Sequence, residues 1–266
     1  MKKRHKKQAP LTAALPIYKL FPSIMTIIGI CFGLFSLKSA ISGKFEMAVI
    51  LLVFAGVIDA LDGKVARLLN ATSPFGEQID SLADFLNFGV VPALVVYFWQ
   101  ISEVKAWGWA VVLFYIICQA IRLARFNSRI DAEPEIPELK YKFFEGVAAP
   151  MGAALVFLPI MLSFLFKKQS ASAQFEIDSI YVIIYMAFIG LLMVSKIPTF
   201  SFKGLKINRE YISFVLALFG LVVISAVTVP WVTFPLIDIF YFLSIPWCYY
   251  RSYQIKAKYK QQLKKD

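Results

Sequence analysis

Eight apolar stretches alternate with short polar breaks along the chain, roughly at 21–41, 46–68, 79–100, 107–127, 146–166, 178–195, 210–229 and 231–249. Each is near the length that crosses ~30 Å of hydrocarbon as a helix, the secondary structure that satisfies its own backbone in lipid. The pattern predicts an all-α polytopic membrane protein with about eight transmembrane helices. The last two stretches are divided only around Pro230, so a re-entrant hairpin is the alternative there. Residues 1–20 read as a basic tail whose segment Leu11–Leu20, interrupted by Pro16, is either a surface-lying helix or a disordered lead-in. Residues 21–250 read as the transmembrane domain and 251–266 as a second basic tail. The longest polar break, Ser128 to Lys142, carries two prolines in DAEPEIPELK and is expected to be a loop. Gly29 and Gly33 form a GxxxG suited to close helix packing. The sequence shows no internal repeat, so the inverted-repeat signature of many secondary transporters is missing.

Composition agrees with the pattern. With 59% apolar residues and a mean hydropathy of +0.68, 266 residues carry more apolar surface than a soluble domain of that size can bury. The net charge of +11 sits at span ends and in tails, which fits anionic lipid headgroups and removes the need for a nucleic-acid partner. Only Lys38, Lys44, Lys105, Lys167 and Lys168 fall on one side of the expected bundle, and the other 23 basic residues fall on the opposite side. That asymmetry predicts a multi-pass protein of the cell (inner) membrane with both termini cytoplasmic. It also puts Trp99, Trp107, Trp109 and Trp231 at the outer interface. The basic start and the apolar run from Ile24 imitate a signal peptide, but seven further spans follow and the segment reads as a retained first helix.

Chemistry is narrowed by what is scarce. The only histidine, His5, lies in the basic tail, so Ser-His-Asp, Cys-His and zinc-histidine sites are excluded. Cys31, Cys118 and Cys248 lie within spans, in no metal-ligand spacing, and read as buried apolar filler. Acid–base work must fall to carboxylates.

Between Asp59 and Asp84 the chain reads DALDGKVARLLNATSPFGEQIDSLAD, with four aspartates in two pairs inside segments otherwise fit for lipid. A charged side chain at the centre of a membrane helix costs ~2.5–3.5 kcal/mol on insertion scales, so four unpaired carboxylates would cost on the order of 10–14 kcal/mol. Asp59 and Asp62, three apart at the cytoplasmic end of the second span, project about 60° apart on one face. Asp80 and Asp84, four apart, open the third. The short connection with Pro74 and Gly76 lets the two helices pack antiparallel, predicting an oxygen-rich cage near the inner interface. Hard divalent cations such as Mg²⁺ or Mn²⁺ suit such donors, and two ions ~3.5–4 Å apart could share them. Gly63 and Ala66 leave a notch on the same face for a planar or phosphate-bearing group, with helix packing as their alternative role. Arg67 offers a bidentate donor to a phosphate oxygen, its alternative being an interfacial anchor.

This arrangement, Asp59-x₂-Asp62-Gly63-x₂-Ala66-Arg67-x₈-Gly76-x₃-Asp80-x₃-Asp84, resembles the full signature of the CDP-alcohol phosphotransferases, eight fixed positions across 26 residues. These are integral membrane enzymes that displace CMP from a CDP-linked donor with an alcohol. The resemblance implies a helical bundle of that family, usually a homodimer. It makes Asp59, Asp62, Asp80 and Asp84 ligands of two divalent metals and Asp84 also the base. Asp59, Asp62, Gly63, Ala66, Arg67 and Gly76 become the contacts to CDP-diacylglycerol.

The stretches 81–93, 123–129, 143–154 and 192–204 are similar to those of the membrane-integral bacterial phosphatidylserine synthases, a branch of the same family, with Asn87 standing where serine is expected. That branch implies phosphatidyl transfer from CDP-diacylglycerol to L-serine, giving phosphatidylserine and CMP. The serine carboxylate calls for a fixed cation or donor, for which Arg122, Arg125, Asn127, Lys142 and Lys196 are candidates; each arginine or lysine could equally be a positive-inside anchor. A sibling transferase using glycerol 3-phosphate, inositol phosphate or choline is the alternative. A divalent-cation transporter using the aspartates as an intramembrane site is a third reading, from a different class.

Overall fold

A computed structural model describes residues 17–128, 143–169, 177–200 and 209–262. It is a bundle of α-helices: α1 (Phe21–Ile41), α2 (Phe45–Leu68), α3 (Pro74–Phe85), α4 (Val91–Val96), α5 (Lys105–Ser128), α6 (Ala149–Gln169), α7 (Ser179–Val194), α8 (Ile212–Thr228) and α9 (Pro230–Gln262). Each of the eight expected apolar segments is helical. Four stretches are long and apolar enough to cross a membrane, namely Tyr18–Ile41, Pro74–Ser128, Ala149–Lys167 and Pro230–Ile255. Ser179–Val194 and Ile212–Thr228 are shorter apolar helices. The chain is an all-α, multi-pass membrane protein.

The third expected span is a composite. A π-helical turn, Leu86–Val90, joins α3 to α4, and a second, Tyr97–Ile101, follows α4. The chain then reverses through Ser102–Val104 and Lys105, whose φ of 41° places it in the left-handed region. Trp107 and Trp109 stand exposed just past this turn, while Trp231 packs edge-on against Phe164 at 4.8 Å.

Helix α1 inverts the amphipathicity of a soluble helix. Its buried positions are Pro22, Thr26, Gly29, Gly33, Ser36 and Ala40, whereas Ile24, Ile27, Ile28, Leu34 and Phe35 face outward. In lipid, apolar side chains gain nothing by turning inward, and small residues let backbones approach closely. The same logic corrects the expectation for Cys31. It lies off the small-residue face and is exposed, while Cys118 and Cys248 are buried as expected.

One helix-interior proline is compensated locally. Pro159 within α6 cannot donate to the carbonyl of Leu155, and the Tyr185 hydroxyl of α7 donates to that oxygen at 2.9 Å. A single non-helical residue, Val229, separates α8 from α9. Helix α8 buries no residue and lies at the periphery. Helix α9 continues to Gln262, well past the expected span end, so most of the expected second tail is helical.

One element lies outside the all-α expectation. β1 (Phe143–Glu145) and β2 (Pro198–Phe200) pair antiparallel with Phe144 opposite Thr199. Gly146 follows with φ +73°, and a Cβ there would come within 2.6 Å of the Met193 carbonyl, so only glycine fits. Its carbonyl accepts from the Thr199 hydroxyl at 2.7 Å. Of Leu11–Leu20 only Ile17–Leu20, a 3₁₀ turn, is described; the remainder, and the loop around DAEPEIPELK, lie outside the described residues.

Candidate active site

The two aspartate pairs are brought together by how α2 ends and α3 begins. Asn70 takes φ 49°, Asn70 N–H bonds Arg67 O at 3.2 Å and Ala71 N–H bonds Ala66 O at 2.8 Å. This is a Schellman stop with asparagine in the left-handed position that glycine usually fills. Ser73 then caps α3, its hydroxyl accepting from the Gly76 N–H at 3.0 Å, with Pro74 in the first helical position. Gly76 is thus drawn into the cap, where a Cβ would lie 3.2 Å from Ser73 Oγ and 3.6 Å from Ser23 Oγ.

The four carboxylates converge. Those of Asp59 and Asp84 are within hydrogen-bonding reach of each other, and Asp62 and Asp80 lie in electrostatic range. Asp62 is 3% exposed; the Thr26 hydroxyl of α1 donates to its Oδ2 at 2.5 Å, and its Oδ1 has no partner among the described residues. Among the described residues nothing lies within 4 Å of the position a Cβ would take on Gly63, so the notch there is open. Ala66 is half-buried and Arg67 exposed beside it. The all-oxygen donor set and the orphaned Asp62 oxygen fit a hard divalent cation. Among the described residues, however, no group of three or more acidic, histidine or cysteine side chains forms a ready-made ligand set.

The five acceptor candidates separate. Arg122 is half-buried on α5; its Nε donates to Val147 O at 2.7 Å, and its charge is in electrostatic range of Asp84 and of Tyr241 on α9. Arg125, three residues on, is committed elsewhere. It donates to the carbonyls of Val194 at 2.7 Å, Ser195 at 3.2 Å and Met193 at 3.4 Å, closing the C-terminus of α7. Asn127 Nδ2 donates to Ser81 Oγ at 3.1 Å, tying the end of α5 to the acidic helix. Lys196 is exposed just beyond α7, and Lys142 lies outside the described residues.

Two contributions were missed from sequence. Thr26 holds Asp62 from 36 positions away, signalled only by its place on the small-residue face of α1. Tyr115, fully buried on α5, donates to Phe88 O at 3.1 Å inside the π turn beside Asp84. No spacing rule announces such a contact.

The model of the CDP-alcohol phosphatidyltransferase family matches residues 19–182, which contain all four aspartates, and that of CDP-alcohol phosphatidyltransferase 2 matches 210–246. The chain belongs to the CDP-alcohol phosphatidyltransferase family. A CDP-diacylglycerol–serine O-phosphatidyltransferase of Mycobacterium leprae is 33% identical over 251 residues, covering 92% of this chain and 81% of the relative. Its Mycobacterium tuberculosis counterpart is 35% identical over 86% of this chain and 77% of its own. One from Helicobacter pylori is 39% identical over 78% and 82% respectively. The similarity to the relatives thus extends well past the segment that holds the aspartates.

Proposed function

We propose that this chain transfers the phosphatidyl group of CDP-diacylglycerol to L-serine, releasing phosphatidylserine and CMP. The observation that carries the reading is the convergence of Asp59, Asp62, Asp80 and Asp84 beside an open notch at Gly63 and within range of Arg122. Family membership supports the reaction class, and the names of the relatives support serine as acceptor.

In this reading Asp84 takes the proton of the serine hydroxyl as that oxygen attacks the phosphorus bonded to the diacylglycerol oxygen. The new O–P bond forms as the bond between that phosphorus and the CMP oxygen breaks. Two Mg²⁺ or Mn²⁺ ions held by the four aspartates would supply neutralising charge for the diphosphate and for departing CMP. Gly63 and Ala66 admit the nucleotide and Arg67 offers a donor to phosphate, while Gly76 shapes the turn that presents Asp80. Arg122 uses Nε on Val147 and keeps Nη1 and Nη2 for the serine carboxylate, the fork geometry that arginine offers an oxyanion. The site would open laterally to the inner leaflet of the cell membrane. All eight helical segments would cross, residues 21–250 forming the catalytic domain, with both termini cytoplasmic and two copies paired.

The test is purified protein given CDP-diacylglycerol, a divalent metal and a panel of alcohols. Serine should yield phosphatidylserine and CMP in equal amounts, with little product from glycerol 3-phosphate or inositol phosphate. A different alcohol outcompeting serine at equal concentration would move the protein to a sibling branch. CDP-diacylglycerol left intact under every condition would sink the transferase reading altogether.

A further inference from the structure

Directly after Asp84 the helix stops being α. The π turn Leu86–Val90 holds one residue more than an α turn would, and one inserted residue turns everything beyond it by about 100°. The acidic helix and the apolar stretch that anchors it therefore meet with a phase offset. Such a turn survives only where its surroundings hold it, and here three polar side chains do so. Asn87, 1% exposed, fills the small-residue notch of α1, where a Cβ on Gly33 would overlap its Oδ1. The Tyr115 hydroxyl occupies Phe88 O. Gln119, wholly buried one turn further along α5, lies so close to Gly89 that a Cβ there would come within 2.8 Å of its Cγ. Among the described residues neither polar atom of the Gln119 amide has a partner, nor has Asn87 Oδ1. Orphaned buried amides cost stability, so stability alone does not explain them.

We infer that the π turn, gripped by Asn87, Tyr115 and Gln119, sets the rotational phase in which Asp80 and Asp84 face Asp59 and Asp62, and that Tyr115 is a positioning residue of the site. Tyr115 and Arg122 lie seven apart on α5, on one face, so the helix that carries a cation toward Asp84 also holds the turn that aims Asp84. The inference rests on the proposed role of the aspartates, and its test keeps the two apart.

Tyr115→Phe keeps the ring and removes the hydroxyl. Its kcat should fall about tenfold with KM for serine and CDP-diacylglycerol within about twofold, because a small misplacement of a reacting group costs rate before it costs binding. Mn²⁺ affinity, read by electron paramagnetic resonance without either substrate, should weaken severalfold. A rate and a Mn²⁺ affinity both unchanged overturn the inference. Should Tyr115→Phe fail to fold, Gly89→Ala carries the test: the added Cβ meets Gln119 Cγ and should cut activity and Mn²⁺ affinity by about tenfold or more. A folded Gly89→Ala variant with both unchanged overturns the inference. If wild type binds Mn²⁺ yet makes no phosphatidylserine, the serine reading fails while the Mn²⁺ measurements still decide the role of the π turn.

Discussion

Asp238 and the four aspartates of α2 and α3 are all carboxylates inside an apolar bundle, but their surroundings differ. Asp238, on α9, is 2% exposed and, among the described residues, solitary, with Oδ2 unpartnered and Tyr185 as its electrostatic neighbour. The four have one another, an open notch and an arginine in range. Two carboxylates 4 Å apart at an effective dielectric of 20 repel by ~4 kcal/mol, so clustering them is worse for the fold than isolating one. A bound divalent cation reverses that sign. On the proposed reading the cluster is therefore a charge-binding device, while the isolated residue is a tolerated burial.

The sharpest way to break that contrast is to remove the cation. Chelation should abolish turnover, with Mg²⁺ or Mn²⁺ restoring it; full activity in EDTA after metal stripping would remove the reason for the cluster. Asp59→Asn or Asp80→Asn should come next, lowering donor affinity together with turnover. Asp84→Asn should lower single-turnover rate by ~10²–10⁴-fold if it removes the base, with donor affinity less affected. Near-normal single-turnover chemistry in Asp84→Asn would hand the proton to another group.

Two arginines three residues apart sharpen the contrast further. A charge-assisted hydrogen bond is worth ~1.5–3 kcal/mol, so Arg122→Gln should raise KM for serine by about 10–100-fold. Arg125→Gln should leave that KM alone and lower the melting temperature, since its guanidinium closes α7 through the Val194 and Ser195 carbonyls. A serine titration and a thermal melt on both variants read the difference. Equal KM effects would mean that the hydrogen bonds of Arg125 do not separate the two roles.

What sequence revealed and what it hid divide along the range of the interactions. The helical segments and the aspartate pairs were legible because each depends on local spacing: apolar runs, and carboxylates recurring at i+3 and i+4 where lipid forbids them. The family signature was legible for the same reason. Hidden features join distant positions. Thr26 reaches Asp62, Arg125 caps a helix 69 residues away, and Asn87 finds the Gly33 notch. The π turn has no local signature, because even its own Asn87 acts by reaching α1, and the other two side chains that hold it come from α5. Cys31 misled because in lipid the small-residue face, not the apolar one, is the packing face.

The smallest expected effect falls on Asp238. No second carboxylate acts on it among the described residues, and the neighbouring Tyr185 hydroxyl is already committed to the Leu155 carbonyl that Pro159 leaves free. Asp238→Asn keeps the shape and removes the ionisable group, so turnover should stay within about twofold. Asp238→Leu goes further, replacing a carboxyl whose Oδ2 has no partner with an apolar side chain of similar size; buried charges replaced in this way often leave a fold as stable or more so. The melting temperature of the leucine variant should therefore equal or exceed that of wild type at unchanged metal dependence. A fall in turnover of tenfold or more in Asp238→Asn, with the fold intact, would show that the solitary carboxylate takes part in catalysis and would erase the distinction between the two regions.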